Sequence, residues 1–142
     1  MKILRTLIIL ALVPLFQLSS GCSTAKYQPV TGQIVFADGT PVQGLEGGRL
    51  NALPAAGGPD AKTPSGPIDG AGKFTLGTDG LADGAPEGEY QLSITVLEST
   101  GDEMLPEVIH PKYKQPGGFP KTFTVQKGSN HWKVEVERAP MP

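Results

Sequence analysis

Residues 89–98 read EYQLSITVLE, and every second side chain is apolar: Tyr90, Leu92, Ile94 and Val96, with Gln91, Ser93 and Thr95 between them. A period of two places the first set on one face of a β-strand and the second on the other, so one face is bound for a core. The same period recurs along the chain. Val30, Ile34 and Phe36 alternate in VTGQIVF, and Phe74 and Leu76 share a side of KFTLGT (73–78). In HWKVEVER (131–138), Trp132, Val134 and Val136 face in while Lys133, Glu135 and Glu137 face out. FPKTFTVQ (119–126) precedes that strand across a KGSN turn. GRLNAL (48–53) is a weaker strand, and PSGPID (64–69) carries prolines that suit a sheet edge. No pattern of helical period reaches three turns. Seven short strands separated by turns predict an all-β chain folded as a two-sheet antiparallel sandwich.

The rest is loop. Glycine and proline number 33 of 142 residues, and 19 of them fall among the 52 residues of 37–88. That share lies just under the range in which disorder becomes the default. Its concentration in one stretch predicts long Gly/Pro-rich loops on a folded domain, because the C-terminal third is ordinary strand sequence.

The N-terminus follows a different rule. Lys2 and Arg5 precede ten apolar residues, Leu7–Phe16, and the small residues Ser19, Ser20 and Gly21 follow. Charge, apolar core and small-residue end are the layout of a secretory signal peptide. The uncharged run is long enough to span a bilayer, but Pro14 and Gln17 interrupt it and its end is polar. Cys22, the single cysteine, comes next. LSSGC (18–22) resembles the bacterial lipobox, with Leu18 one position early and Ser19 three before the cysteine. The resemblance implies that Cys22 receives a diacylglyceryl group and becomes the first residue after cleavage. One acyl chain binds a membrane only marginally; the two or three of a bacterial lipoprotein hold it there. By the same resemblance Ser23 favours the outer membrane over the inner. Residues 23–29, STAKYQP, read as a short polar tether.

Lys2 and Arg5 are the only charges in residues 1–21, so the remainder holds ten basic and fourteen acidic residues, a net charge of −4. An acidic chain without a basic patch is not expected to bind nucleic acid.

Four segments in order carry a second resemblance: PVTGQIVFADGTPVQG (29–44), GPIDGAGKFTLGT (66–78), DGAPEGEYQLSITV (83–96) and HPKYKQP (110–116). Over residues 29–138 the chain resembles the carboxypeptidase regulatory-like family. That resemblance implies a transthyretin-like sandwich and a binding or structural role without catalysis. The departure is GLEGGRLNALPAAGG (44–58), which lacks the alternating pattern of the family's second strand.

Chemistry is sparse. His110 and His131 stand alone, and with no second cysteine a structural zinc site is not expected; His131 reads as a solvated edge residue. DGLADGAPEGEY (79–90) places Asp79, Asp83 and Glu87 at three calcium-loop positions and Gly84 at a fourth. Leu81 and Tyr90 stand where further ligands belong, so the stretch reads as a turn into a strand. Ser65 lacks the flanks of a nucleophile elbow, and Asp102 and Glu103 are adjacent acids in a loop. The transthyretin-like fold includes a ureide hydrolase, but its His/Arg constellation and C-terminal Tyr-Arg-Gly-Ser are missing from a chain ending ERAPMP. No enzyme, cofactor or metal is expected. Among Tyr27, Tyr113, Phe119 and Trp132, Tyr113 in the Pro-rich connection is the aromatic expected nearest the surface, and thus the candidate ligand contact.

The expectation is therefore a signal peptide (1–21), a lipidated Cys22 with its tether (22–29) and a sandwich domain (30–138). It is read as a non-catalytic envelope lipoprotein that binds protein or serves a structural role. A carbohydrate-binding module is the alternative, resting on Tyr113.

Overall fold

In the computed structural model, which describes residues 25–97 and 107–141, seven strands form two sheets. They are β1 (Val30–Phe36), β2 (Arg49–Pro54), β3 (Ser65–Pro67), β4 (Lys73–Thr75), β5 (Gly88–Thr95), β6 (Phe123–Val125) and β7 (Asn130–Val136). One sheet has the order β4-β1-β7 and the other β3-β2-β5-β6. The chain is all-β, a sandwich, as the alternation requires.

The inward sets are the ones the period selects. Val30, Ile34 and Phe36 of β1, Phe74 of β4, and Trp132, Val134 and Val136 of β7 are buried against Leu50 and Ala52 of β2 and Tyr90, Leu92 and Ile94 of β5. Burying each large apolar side chain contributes about 1.5–3 kcal/mol, so this cluster holds the two sheets face to face.

One feature departs from the expectation, and a second adds to it. All pairings are antiparallel except β1 with β7, which run parallel in register from Val30↔Asn130 to Phe36↔Val136. A parallel pair needs a long crossover, and here everything from β2 to β6 lies between the two strands. Second, the weak strand β2 is interior, paired to β3 and β5. Its pattern is faint because Leu50 and Ala52 alone supply its fully buried side.

The two long sides of the sandwich differ. On one, the β3–β4 segment bonds both sheets together: Ser65 and Gly77 exchange backbone hydrogen bonds at 2.9 Å each. The backbones approach so closely that a Cβ on Gly66 would lie 2.0 Å from the Thr75 carbonyl oxygen. On the other side, the turn after β6 is held by Asn130, whose Oδ1 accepts the Gln126 N–H (2.8 Å) and whose Nδ2 donates to Gln126 and Gly128 carbonyls.

The chain enters at one end, and that entry is fixed rather than loose. Gln28 is buried, exchanges backbone bonds with Ala85 (2.8 and 3.0 Å), and accepts the Gly128 N–H on Oε1 (2.8 Å). Its Nε2 donates to the Ala25 carbonyl (3.1 Å). Lys26 and Tyr27 both reach the Asp79 carboxylate. The segment read as a tether is thus docked on the body from Lys26 onward. At the far end, Arg138 stacks 3.7 Å from the Phe36 ring and pairs with Asp38 at 3.2 Å.

Candidate functional site

A sandwich exposes backbone only at its sheet edges, so the four edges decide where this one can meet another chain. Strands β3, β4 and β6 are each three residues long, and β3 and β4 are bonded to one another's flanks. Strand β7 is seven residues long and has a neighbour, β1, on one side.

The direction of its backbone groups follows from one bond. Asn130 N–H donates to the Pro29 carbonyl at 2.9 Å, toward β1. A parallel ladder uses alternate residues of each strand, so Trp132, Val134 and Val136 also point theirs at β1. The N–H and C=O of His131, Lys133 and Glu135 therefore point away from it. Among the described residues nothing bonds them. The next outward residue is satisfied: Glu137 N–H donates to the Tyr113 hydroxyl (3.2 Å), and its carbonyl accepts the His110 N–H (3.0 Å). Ala139 N–H donates to Val108 at 3.1 Å. A strap of residues 108–113 thus closes the far part of the edge, and among the described residues His131–Glu135 stay uncovered by it.

That strap holds Tyr113, and its position corrects the surface assignment. Pro111–Lys114 forms a 3-10 turn whose start is capped by His110, with Nδ1 accepting the Lys112 N–H at 3.1 Å. The turn aims Tyr113 inward. It is 3% exposed, with its ring 4.6 Å from Phe119, which in turn contacts Phe123, itself 5.3 Å from Trp132. A proline-rich connection reads as surface, but here its turn packs against β5 and bonds Glu137 just after β7, with Tyr113 beneath it. No ring face remains for a sugar. The strap is also pinned outside by Lys112 and Glu137: the ammonium hydrogen-bonded to Glu137 holds that carboxyl below its usual range and raises the lysine in return.

Beside the open edge, the outer face of the three-stranded sheet is polar. A cleft of about 440 Å³ there runs between Thr31, Thr75 and His131 on one bank and Gln33 and Lys73 on the other, with Phe74 and Trp132 beside Gly32 making much of its lining apolar. His131 is exposed, and its Nδ1 lies 2.7 Å from the Thr31 Oγ1.

The calcium-like stretch has another use. Asp83 accepts the N–H groups of Thr78 (2.6 Å), Asp79 (3.2 Å) and Gly80 (2.9 Å), and the Thr78 N–H in particular holds its carboxyl below the usual range. Asp79 is held lower still by Lys62, then Tyr27 and Lys26. Glu87 meets Gln28 Nε2 at 3.4 Å. Among the described residues no three His, Cys, Asp or Glu side chains are grouped so as to hold a metal ion. Ser65 accepts from Arg49 at 2.8 Å. Cys22, Asp102 and Glu103 lie outside the described residues, as does the apolar run before them.

No family model and no curated protein matches the chain. One solved structure is similar: a DUF3823 family protein from Parabacteroides merdae, 18% identical, with a TM-score of 0.48 and 80% of this chain covered. The chain spans about half of that protein, 47%. At that distance the likeness assigns neither family nor role.

Proposed function

We propose that this chain is a lipid-anchored, non-catalytic module of the cell envelope that binds protein by adding a partner's extended segment to β7. The observation that carries the reading is the row of N–H and C=O groups at His131, Lys133 and Glu135, unbonded among the described residues, on the longest edge strand of the two sheets. Strand addition of this kind takes its affinity from main-chain bonds and its selectivity from alternate side chains. Here the neighbouring side chains are His131, Lys133 and Glu135 on the outer face, with Trp132 and Val134 beneath. The anchor rests on the LSSGC stretch and the apolar run before it, and the family reading on the four segments between residues 29 and 116. Both agree with a small envelope lipoprotein of the carboxypeptidase regulatory-like type.

Lys133→Pro tests the edge. Proline is tolerated where its missing N–H faced solvent, and the N–H lost points away from β1. Cross-linking in cells, detergent extraction and mass spectrometry should recover a reproducible protein partner from the parent chain. The variant should fold and lose that partner. Recovery of the same partner with a folded Lys133→Pro variant, or recovery of envelope glycan alone, would refute the proposal.

A further inference from the structure

The same end of the sandwich that receives the chain also presents an exposed leucine. Loop 77–84 leaves β4 and returns beside Gln28, because Leu76 N–H bonds Val30 and Gly84 N–H bonds Leu76. Leu81 at its tip is 90% exposed. The loop that carries it is tied at two points: Asp83 accepts three of its backbone N–H groups, and Asp79 binds Lys26, Tyr27 and Lys62 from two other segments. A large apolar side chain held out in water on a fixed loop has no role in the core.

The covalent chain says what lies nearby. Docking begins at Lys26, and Cys22 precedes Ala25 by three residues. An extended chain spans at most about 3.6 Å per residue, so the two Cα atoms are within about 11 Å of each other. Lys26 and Lys62 flank the loop, and Lys127 sits in the turn whose Gly128 bonds Gln28. Among the described residues the other exposed large apolar side chains, Leu97 and Met141, follow β5 and β7 at the opposite end. The seven residues of β1 alone separate the two ends by about 23 Å.

We infer that the entry end is a second membrane contact: Leu81 enters the interface of the phospholipid bilayer while Lys26, Lys62 and Lys127 lie at its headgroups. This rests on Cys22 being acylated, and it fixes how the domain stands. The acids of this end, Asp60, Asp79, Asp83, Glu87 and Glu89, outnumber the three lysines. The leucine therefore drives the contact, and salt changes it little. The open β7 edge then stands along the membrane normal, with the 37–48 loop outermost.

The test uses the full chain, processed in a bacterial host and reconstituted in phosphatidylethanolamine–phosphatidylglycerol vesicles. L81C and M141C each add one thiol for an environment-sensitive fluorophore. At position 81 the emission should shift to the blue and be quenched by nitroxide-labelled phospholipid, at low and high salt alike; at position 141 it should report water. An acylated chain with both labels in water overturns the membrane contact and leaves the anchor standing. Absence of acyl mass on the Cys22 peptide overturns the anchor, and the contact with it.

Discussion

Removing the Tyr113 side chain should cost the fold a large part of its stability. The residue is 3% exposed, lies 4.6 Å from Phe119, and accepts the Glu137 N–H at 3.2 Å. Truncating a buried aromatic to alanine costs about 3–5 kcal/mol. Tyr113→Phe keeps the ring and removes one hydrogen bond, a loss of about 0.5–1.5 kcal/mol. For a domain of this size 1 kcal/mol moves Tm by roughly 4 °C, so Tyr113→Ala should melt about 12–20 °C lower and Tyr113→Phe about 2–6 °C lower. Circular dichroism and the fluorescence of Trp132, the single tryptophan, follow the same transition. Coincident curves license the conversion to free energy. A surface aromatic would behave otherwise, since substitutions on open surface stay within about 0.5 kcal/mol. If Tyr113→Ala melts within 2 °C or so of the parent, on that same scale, the packing argument for the strap is wrong.

Two further outcomes follow from the loops. Gly66→Ala drives a methyl group into the Thr75 carbonyl, where neither backbone can move without parting the sheets. It should destabilise by about 3 kcal/mol or more; Gly70→Ala, where a Cβ meets only the Glu46 carboxylate at 3.4 Å, should be neutral or stabilising by about 0.4–1 kcal/mol. Urea melts of the pair decide it, and equal midpoints would contradict the close approach. The carboxyl of Asp83 is held below its ordinary value of 3.8 chiefly by the Thr78 N–H. A lowered folded-state pKa contributes stability above the unfolded value that is lost as pH falls through the folded one. Loop 77–84 should therefore keep its amide protection above pH 4 and lose it below, and Asp83→Asn should flatten that dependence in hydrogen exchange; a variant with the parent's profile would contradict the assignment.

Much of this architecture was legible from alternation, and the rest was not for stateable reasons. Periodicity marks a strand and its inward face, which is how Tyr90, Leu92, Ile94, Trp132, Val134 and Val136 were placed. It carries no information on which strand pairs with which. The parallel β1–β7 ladder and the interior position of β2 therefore appear only in the structure, and so does the open edge, since an edge exists only once an order of strands exists. Tyr113 misled because proline marks a turn without saying what the turn covers. Asp79 and Asp83 sit at calcium-loop spacing, yet the same carboxylate chemistry serves equally to bind N–H groups, and the sequence does not distinguish the two. Gln28 offered no signal at all: a glutamine in a polar stretch reads as solvent-exposed until its three partners are seen.

The parallel pairing of the first strand with the last also sets how the domain bears tension. The chain enters β1 at one end of the sandwich and leaves β7 at the other, and the two strands are bonded side by side over seven residues. A pull between the residues before β1 and those after β7 drags these neighbours past each other lengthwise. Their hydrogen bonds are then loaded together, in shear, whereas strands pulled from the same end would peel apart one bond at a time. Extension by the two termini should accordingly show one high rupture force, and extension between Gly128 and the C-terminus, which loads β7 alone, should bypass that clamp. Under a pull applied at its two ends, the domain would hold until the whole ladder slipped.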